Sequence, residues 1–193
     1  MTTALLVCSG PSARNEPLPD ADMLMAVNGA ATIALEQSRR IDAWLMVEIA
    51  AGAAYGHFAD SILAASPHCE IIVSRDTLKG RWAVDHGELP YTLYDTIHGA
   101  DPESHYMTSR RAPLPRTSGT CALYAMATLW QPERIIIVGM DGYAADKPLY
   151  AERCGSAASA PPNQVLEAHR SNEHWYNRLR ADLEAQGITL ERR

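Results

Sequence analysis

Short apolar runs that recur along the chain, each followed by small or polar residues, limit the fold more than any other feature. Six of them are "ALLVCSG", "MLMAVNGAATIAL", "DAWLMVEI", "EIIVSRD", "RIIIVGMDGY" and "GITLERR". Continuous apolar runs are typical of strands that are covered on both faces, as in parallel sheets. Helical patterns lie between the runs. The sequence therefore predicts a Rossmann-like α/β fold, with a mostly parallel sheet and helices on both faces.

The chain is expected to form one domain. Its 193 residues suit a single core that removes about 70% of the unfolded chain's surface from water. No repeat or linker divides residues 1–193, although residues 80–116 are weakly patterned and rich in His, Tyr and Pro. We interpret residues 80–116 as a lid or insertion over the edge of the sheet.

Two segments carry clear helical patterns. In residues 117–130, Leu123, Ala127 and Trp130 share one face, and the expected N-cap is Thr117 or Ser118. The second helix precedes Gly187, which is a good C-terminal stop. Its inner face is predicted to consist of Val165, His169, Asn172, Tyr176, Leu179 and Leu183. This helix should pack on the sheet while the first half of its inner face stays polar.

The charge balance disfavours a nucleic-acid partner. The chain has 17 Lys and Arg against 23 Asp and Glu, a formal net charge of −6, so it lacks the positive field that attracts nucleic acid. A local exception is "SRRAPLPR", which contains Arg110, Arg111 and Arg116. These arginines either face solvent in a surface loop or hold an anionic ligand.

The sequence also predicts a cytoplasmic protein. The segment "MTTALLVCSG" lacks the cationic region and long apolar core of a signal peptide, and no run reaches the ~18 apolar residues that a membrane span needs.

The four cysteines are widely spaced and form no CxxC pair. We therefore expect Cys8, Cys69, Cys121 and Cys154 to be reduced and to act as small core residues.

Several unusual turns follow the apolar runs, where ligands of open α/β sheets bind. They are Ser9-Gly10-Pro11-Ser12, Asn28-Gly29 and Asp141-Gly142-Tyr143. Thr117-Ser118-Gly119-Thr120 adds a helix N-terminus, whose free N–H groups and dipole favour phosphate. Each turn taken singly is more often structural, so their convergence on one edge carries the prediction. Because neither GxGxxG nor GxxxxGK[ST] is present, backbone and hydroxyl groups are expected to hold the phosphate.

His169 is the candidate general base. It lies near the start of the inward-facing helical stripe, close to Asn172. Imidazoles ordinarily titrate near pH 6.5, which suits base catalysis at neutral pH.

The chain has no Asp-x-Asp pair, no zinc-deaminase cysteine pair and no GxSxG elbow. We therefore predict a reaction with no metal and no cofactor besides the substrates.

The order of these motifs resembles that of the small bacterial sialyltransferases, single-domain enzymes that use CMP-sialic acid. In that family a first strand ends in Gly-Pro-Ser and a second ends in Asn. A Thr-Ser-Gly helix start then precedes a Gly-x-Asp-x-Tyr strand end, and His-x-x-Asn opens a later helix. The matching segments here are Gly10-Pro11-Ser12, Asn28, Thr117-Ser118-Gly119, Gly139-Met140-Asp141-Gly142-Tyr143 and His169-Arg170-Ser171-Asn172.

The resemblance implies an inverting glycosyltransferase with a CMP-type nucleotide-sugar donor and an unidentified hydroxyl acceptor. His169 would take the proton from the acceptor, while Tyr143 and Tyr150 would donate hydrogen bonds to the leaving phosphate. The implied nucleotide site consists of Ser9, Gly10, Pro11, Ser12, Asn28, Thr117, Ser118, Gly119, Thr120, Asp141 and Asn172.

The same motifs also resemble a wider superfamily that includes MptE-like 6-hydroxymethylpterin diphosphokinases and Maf-type flagellin glycosyltransferases. Diphosphoryl transfer from ATP normally needs Mg²⁺, for which Asp141 and Asp146 are the candidate ligands. Two further alternatives are a glycosyltransferase that modifies nucleic-acid bases and a nucleotide-binding protein without catalysis. The sequence leaves the donor sugar and assembly into a homo-oligomer open.

Overall fold

The computed structural model describes residues 1–47, 51–78, 88–94, 117–141 and 162–193. The strands in these ranges are β1 Thr3–Val7, β2 Met23–Val27, β3 Ala43–Met46, β4 Glu70–Val73, β5 Thr92–Leu93, β6 Arg134–Val138 and β7 Thr189–Arg192. The helices are α1 Ser12–Asn15, α2 Ala31–Glu36, α3 Ala51–Tyr55, α4 Ala59–Ala65, α5 Arg75–Thr77, α6 Ser118–Trp130 and α7 Pro162–Ala185. Two short 3₁₀ turns, Asn28–Ala30 and Gly56–Phe58, precede α2 and α4.

All seven described strands form one parallel sheet, in the order β5-β4-β3-β2-β1-β6-β7. The six predicted strands are confirmed, and the α/β fold class with them. The central strands are buried along almost their whole length, which explains why their sequences are apolar without alternation.

Helices cover both faces of the sheet, as predicted. On the first face, Leu5 and Val7 of β1 belong to a buried cluster with Ala13 of α1, Ile33 of α2 and Ile62 of α4. On the second face, the opposite side chains of β1 pack with α6 and α7. The chain therefore forms one three-layer α/β domain, and α6 and α7 share a face.

The two predicted long helices are present with the predicted ends. Thr117 is the N-cap of α6 and forms a capping box with Thr120. At the end of α7, Gly187 has φ +87°, and the Ile188 N–H donates to the Leu183 carbonyl at 3.0 Å. Tyr176 and Leu183 are buried and Leu179 packs against them, which confirms the second half of the inner stripe.

The weakly patterned middle segment contains a strand that the sequence did not predict. Thr92 and Leu93 pair with Ile72 and Val73 of β4 and form the edge of the sheet. A strand of two residues is too short to show an apolar pattern in the sequence. It is recognised as a strand only by its pairing with β4. Residues 80–87 and 95–116, on which the predicted lid and arginine segment fall, lie outside the described residues.

The sheet order places a topological switch point between β1 and β6. From β1 the sheet grows through β2 to β5 on one side and through β6 to β7 on the other. The chain leaves β1 toward α1 on the first face, whereas the helix after β6 packs on the second face. In open α/β sheets this divergence forms the crevice in which ligands bind.

Candidate functional site

The turns that follow β1 and β6 meet at the switch point and are tied together. The Gly10 N–H donates to the Gly139 carbonyl at 2.8 Å. The Ser12 N–H donates to Asp141 Oδ2 at 2.8 Å, and the Ser12 hydroxyl donates to Asp141 Oδ1. The Gly139 N–H donates to Ser12 Oγ at 3.1 Å. We call this the Ser12–Asp141 clasp.

Neither Gly10 nor Gly139 of the clasp has room for a side chain. A Cβ at Gly10 would lie 2.5 Å from the Gly139 carbonyl oxygen and 2.6 Å from Asp141 Oδ2. Gly139 has φ +72°, and a Cβ there would overlap the Cys8 carbonyl. Two backbones can approach this closely only where neither residue has a side chain.

The clasp changes the role expected for the Gly10-Pro11-Ser12 turn. The Gly10 N–H donates a hydrogen bond to the Gly139 carbonyl, and the Ser12 N–H donates one to the Asp141 carboxylate. Pro11 has no N–H to offer. The Asp141 carboxylate thus occupies the place at this turn where the sequence predicts a phosphate. An anion has to be sought elsewhere on the same edge.

Asn28 lies at the carboxyl end of β2 in a left-handed conformation, with φ 51°. Its carbonyl accepts a hydrogen bond from Trp44 Nε1 at 2.9 Å, which fixes the backbone of Asn28. Its amide Nδ2 donates to Ser118 Oγ, the first residue of α6, at 3.2 Å. Asn28 is only 9% exposed, and its Oδ1 is buried without a hydrogen-bond partner.

The N-terminus of α6 lies directly beside this amide. The capping box uses the Thr120 N–H, whereas the Gly119 N–H belongs to the first turn, where N–H groups have no acceptor within the helix. A Cβ at Gly119 would contact the Met140 methyl at 2.9 Å and Cys8 Sγ at 3.2 Å, so α6 begins against the switch point. We call Asn28, Ser118 and Gly119 the Asn28–α6 corner.

No protein-family model, curated protein or solved structure matches this chain.

The first half of α7 reaches the same edge. Arg192 ends β7, and its Nη2 donates to Glu173 Oε1 of α7 at 2.6 Å. Its guanidinium carbon lies 5.0 Å from the centre of the Tyr176 ring. Because Arg192 is at the carboxyl end of its strand, α7 runs from this edge toward the amino ends of the strands.

Cys8, at the floor of the crevice, is not a nucleophile. Burial raises the pKa of its thiol from 9.0 to about 12; the Asp141 charge adds to the rise, and the Arg192 charge opposes it. The buried thiol keeps its proton at neutral pH, and the reactive form of a cysteine is the thiolate. Cys8, Cys69 and Cys121 are buried and are not in disulfides, which confirms the predicted core role for these three.

Cys8 is expected to react with iodoacetamide at pH 8 about 1000-fold more slowly in the native protein than in the urea-unfolded chain, because three pKa units separate the two thiols. The unfolded thiol, with its lower pKa, releases its proton first, so the Cys8 contribution to stability decreases as pH rises above 9.0 toward 12. Peptide mass spectrometry after timed labelling measures the rates. Equal labelling of native and unfolded Cys8 would contradict this assignment.

Several predicted site residues lie outside what the structure describes. Tyr143, Tyr150 and Asp146 fall outside the described ranges, and so does Cys154. His169 and Asn172 lie within α7, but their side chains are outside the description. Their predicted roles stay predictions. The structure does bring together Gly10, Ser12, Asn28, Ser118, Gly119 and Asp141, which are up to 131 positions apart.

Two residues at this edge were not predicted from sequence. Trp44, fully buried in β3, holds the Asn28 backbone. No local pattern distinguishes it from other strand residues. Arg192 could have been found, because it follows Ile188 and Leu190 in the inward phase of "GITLERR".

Two further findings concern the described ranges. No three His, Cys, Asp or Glu side chains there come close enough together to hold a metal ion. None of the helices within those ranges has the length and apolar character to cross a membrane.

Proposed function

We propose that the chain is a transferase that binds the phosphate of a nucleotide donor at the Asn28–α6 corner. The favoured reaction is inverting glycosyl transfer from a CMP-type nucleotide-sugar to a hydroxyl acceptor. The observation that carries the proposal is the buried Oδ1 of Asn28, which has no partner and lies beside the N-terminus of α6.

A buried amide oxygen without a donor costs free energy, about 1–3 kcal/mol. Such atoms are uncommon in folded proteins, and an ordered water, an ion or a ligand group usually satisfies them. If the side-chain amide were flipped, so that Oδ1 and Nδ2 exchanged places, a donor instead of an acceptor would lack a partner. One polar atom of the amide is therefore without a hydrogen bond in either orientation. The corner therefore favours a ligand that brings polar groups of its own.

The chemistry of the corner fits a nucleotide. The Gly119 N–H and the dipole at the start of a 13-residue helix favour a phosphate. The adjacent Oδ1 accepts a hydrogen bond from a hydroxyl or amino group, and nucleotides carry these on the ribose and base. A free inorganic anion would satisfy the helix but would leave Oδ1 unpaired.

The proposed base is His169. Position 169 precedes Tyr176 by seven residues, so about two turns of α7 bring it to the same side of the helix. Tyr176 packs on the second face of the sheet, where α6 also lies. Position 169 comes before Tyr176 in a helix that runs away from the carboxyl edge, which supports His169 as the base near the proposed donor.

A panel of nucleotides tests the proposal by thermal shift. We expect CMP to raise the melting temperature, and we compare it with UMP, UDP, GDP, AMP and ATP, with and without Mg²⁺. A ligand at 100 times its Kd adds ~2.7 kcal/mol, or about 5–10 °C for a domain of this size. A Mg²⁺-dependent shift with ATP would support diphosphoryl transfer, and no shift with any nucleotide would refute the proposed function.

Asn28→Asp is expected to weaken nucleotide binding about tenfold or more while the fold is kept. Asp tolerates the left-handed backbone, and its charge is favourable near a helix N-terminus. The same charge repels a bound phosphate. Isothermal titration with the nucleotide that the panel selects measures the change in Kd.

Gln131→Glu is the matched control. Gln131 also has positive φ, at 44°, but it caps the opposite end of α6. The substitution adds the same charge far from the corner, so nucleotide affinity should not change. Equal losses in the two variants would mean that net charge, rather than the corner, governs binding.

A further inference from the structure

Arg192 stands at an unusual position for a charged residue. The preceding inward positions are apolar, since Ile188, just before β7, and Leu190 pack with the cluster beneath α6 and α7. Arg192 occupies the next inward position, and its side chain is only 24% exposed. Ion pairs between partly exposed side chains, such as this one with Glu173, stabilise folded proteins only weakly.

The Arg192 guanidinium is positioned by its neighbours, but only one of its N–H donors has a hydrogen-bond acceptor among the described residues. Glu173 Oε1 is its single acceptor among the described residues, at 2.6 Å, and the Tyr176 ring lies against it at 5.0 Å. An arginine has five N–H donors in a planar fork that matches phosphate and carboxylate. Several donors of a well-positioned cation are therefore available for a ligand.

The position of Arg192 relates it to the proposed site. It is level with Ile137 in the register of β6, two residues before the Gly139 turn. Its side chain faces the side of the sheet on which α6 begins and on which Cys8 lies. The charges of Arg192 and Asp141 both act on the Cys8 thiol, in opposite directions. Arg192 and the Asn28–α6 corner thus lie at the same edge of the sheet, on the two sides of β1 and β6.

We propose that Arg192 is a second anion-binding residue of this crevice, which binds an acidic group of the ligand opposite the N-terminus of α6. The inference rests on the proposed function for the identity of the ligand, a nucleotide donor. Glu173 holds the guanidinium in place when the ligand is absent and competes with the ligand's anion for it. Arginine and helix together neutralise more negative charge than either does separately.

The competition predicts effects of opposite sign. Arg192→Gln should raise the Kd of the selected nucleotide about tenfold or more, because a charge-assisted hydrogen bond is lost. Glu173→Gln should lower the Kd several-fold, since it removes the competing carboxylate. Arg192→Lys should recover part of the affinity. A purely structural ion pair would instead shift the Kd of both broken-pair variants in the same direction.

The experiment is isothermal titration of each folded variant with the selected nucleotide and, separately, with inorganic pyrophosphate, at two salt concentrations. Arg180→Gln is the control, because Arg180 pairs with Glu184 on the same helix in an exposed i,i+4 ion pair at 2.7 Å. It should leave both Kd values unchanged. The affinity of Arg192→Gln should also depend less on salt than that of the unmodified chain.

The outcomes separate the two proposals. If nucleotides bind and neither Arg192→Gln nor Glu173→Gln alters the Kd, this inference is overturned while the proposed function stands. If no nucleotide binds but pyrophosphate does, with the opposite-sign pattern, the inference holds and the proposed function fails. Loss of folding in Arg192→Gln leaves Glu173→Gln to decide, and unchanged or weaker binding by that variant overturns the inference. If neither probe binds, both are overturned.

Discussion

Replacing Gly139 by alanine is expected to lower the free energy of unfolding by about 3 kcal/mol or more. The residue has φ +72°, which costs a non-glycine residue about 1–2 kcal/mol. The new Cβ would also overlap the Cys8 carbonyl and crowd Ala13, whose Cβ would be 2.9 Å away. Forcing the two strand ends apart adds a further overpacking cost of about 1–3 kcal/mol.

Gly187→Ala provides the control for Gly139→Ala. Gly187 has an even larger positive φ, +87°, but no atom lies within 4 Å of a Cβ added there. This variant should show the conformational cost alone, about 1–2 kcal/mol. Urea unfolding of both variants measures the difference. If they are equally destabilised, the close contact between the β1 and β6 turns does not exist in solution.

His169→Ala is expected to reduce turnover about 10²- to 10⁴-fold, the usual contribution of a positioned general base. Alanine is the best helix former, so α7 should keep its structure. Nucleotide affinity should stay nearly unchanged, because the proposed phosphate site is on α6. The measurement is CMP release from the nucleotide-sugar donor, alongside the Kd for CMP.

His174→Ala controls for loss of any imidazole from α7. His174 is exposed five residues further along the helix, where it lies edge-on to Trp175. Its removal should leave turnover as it was. Turnover that is the same in His169→Ala and in the unmodified chain would remove His169 from the mechanism.

A parallel loss of turnover and nucleotide affinity in His169→Ala would have a different meaning. It would make His169 part of the binding site, and the general base would have to be another residue. The ratio of the change in kcat to the change in Kd therefore distinguishes base catalysis from binding.

The fold followed from sequence where the deciding interactions are local. Buried parallel strands must be apolar on both faces, so β1, β2 and β6 are visible as continuous runs. The ends of α6 and α7 were readable because a capping hydroxyl and a glycine act within a few residues. The edge strand β5 was missed, since two residues depend on their partner strand rather than on a pattern.

The site was less accessible to sequence reasoning. Ser12 and Asp141 were both predicted at a nucleotide site, but not that one would occupy the hydrogen-bonding groups of the other. Their positions differ by 129 in the chain, and no local signal predicts whether a turn's N–H faces a ligand or a distant carboxylate. Phosphate was predicted at both the Gly10 turn and the N-terminus of α6, and the tertiary structure leaves only the second for the proposal, because Asp141 engages the first.

The sequence by itself determined six of the seven described strands, the two long helices and the collection of turns at one sheet edge. These depend on burial and on hydrogen bonds between near neighbours, which residue type and spacing encode. Only the tertiary structure decided which polar atoms are already paired. Asn28 and Ser118, 90 positions apart, meet across the edge and leave one amide oxygen unpaired, because packing of whole elements positions each side chain.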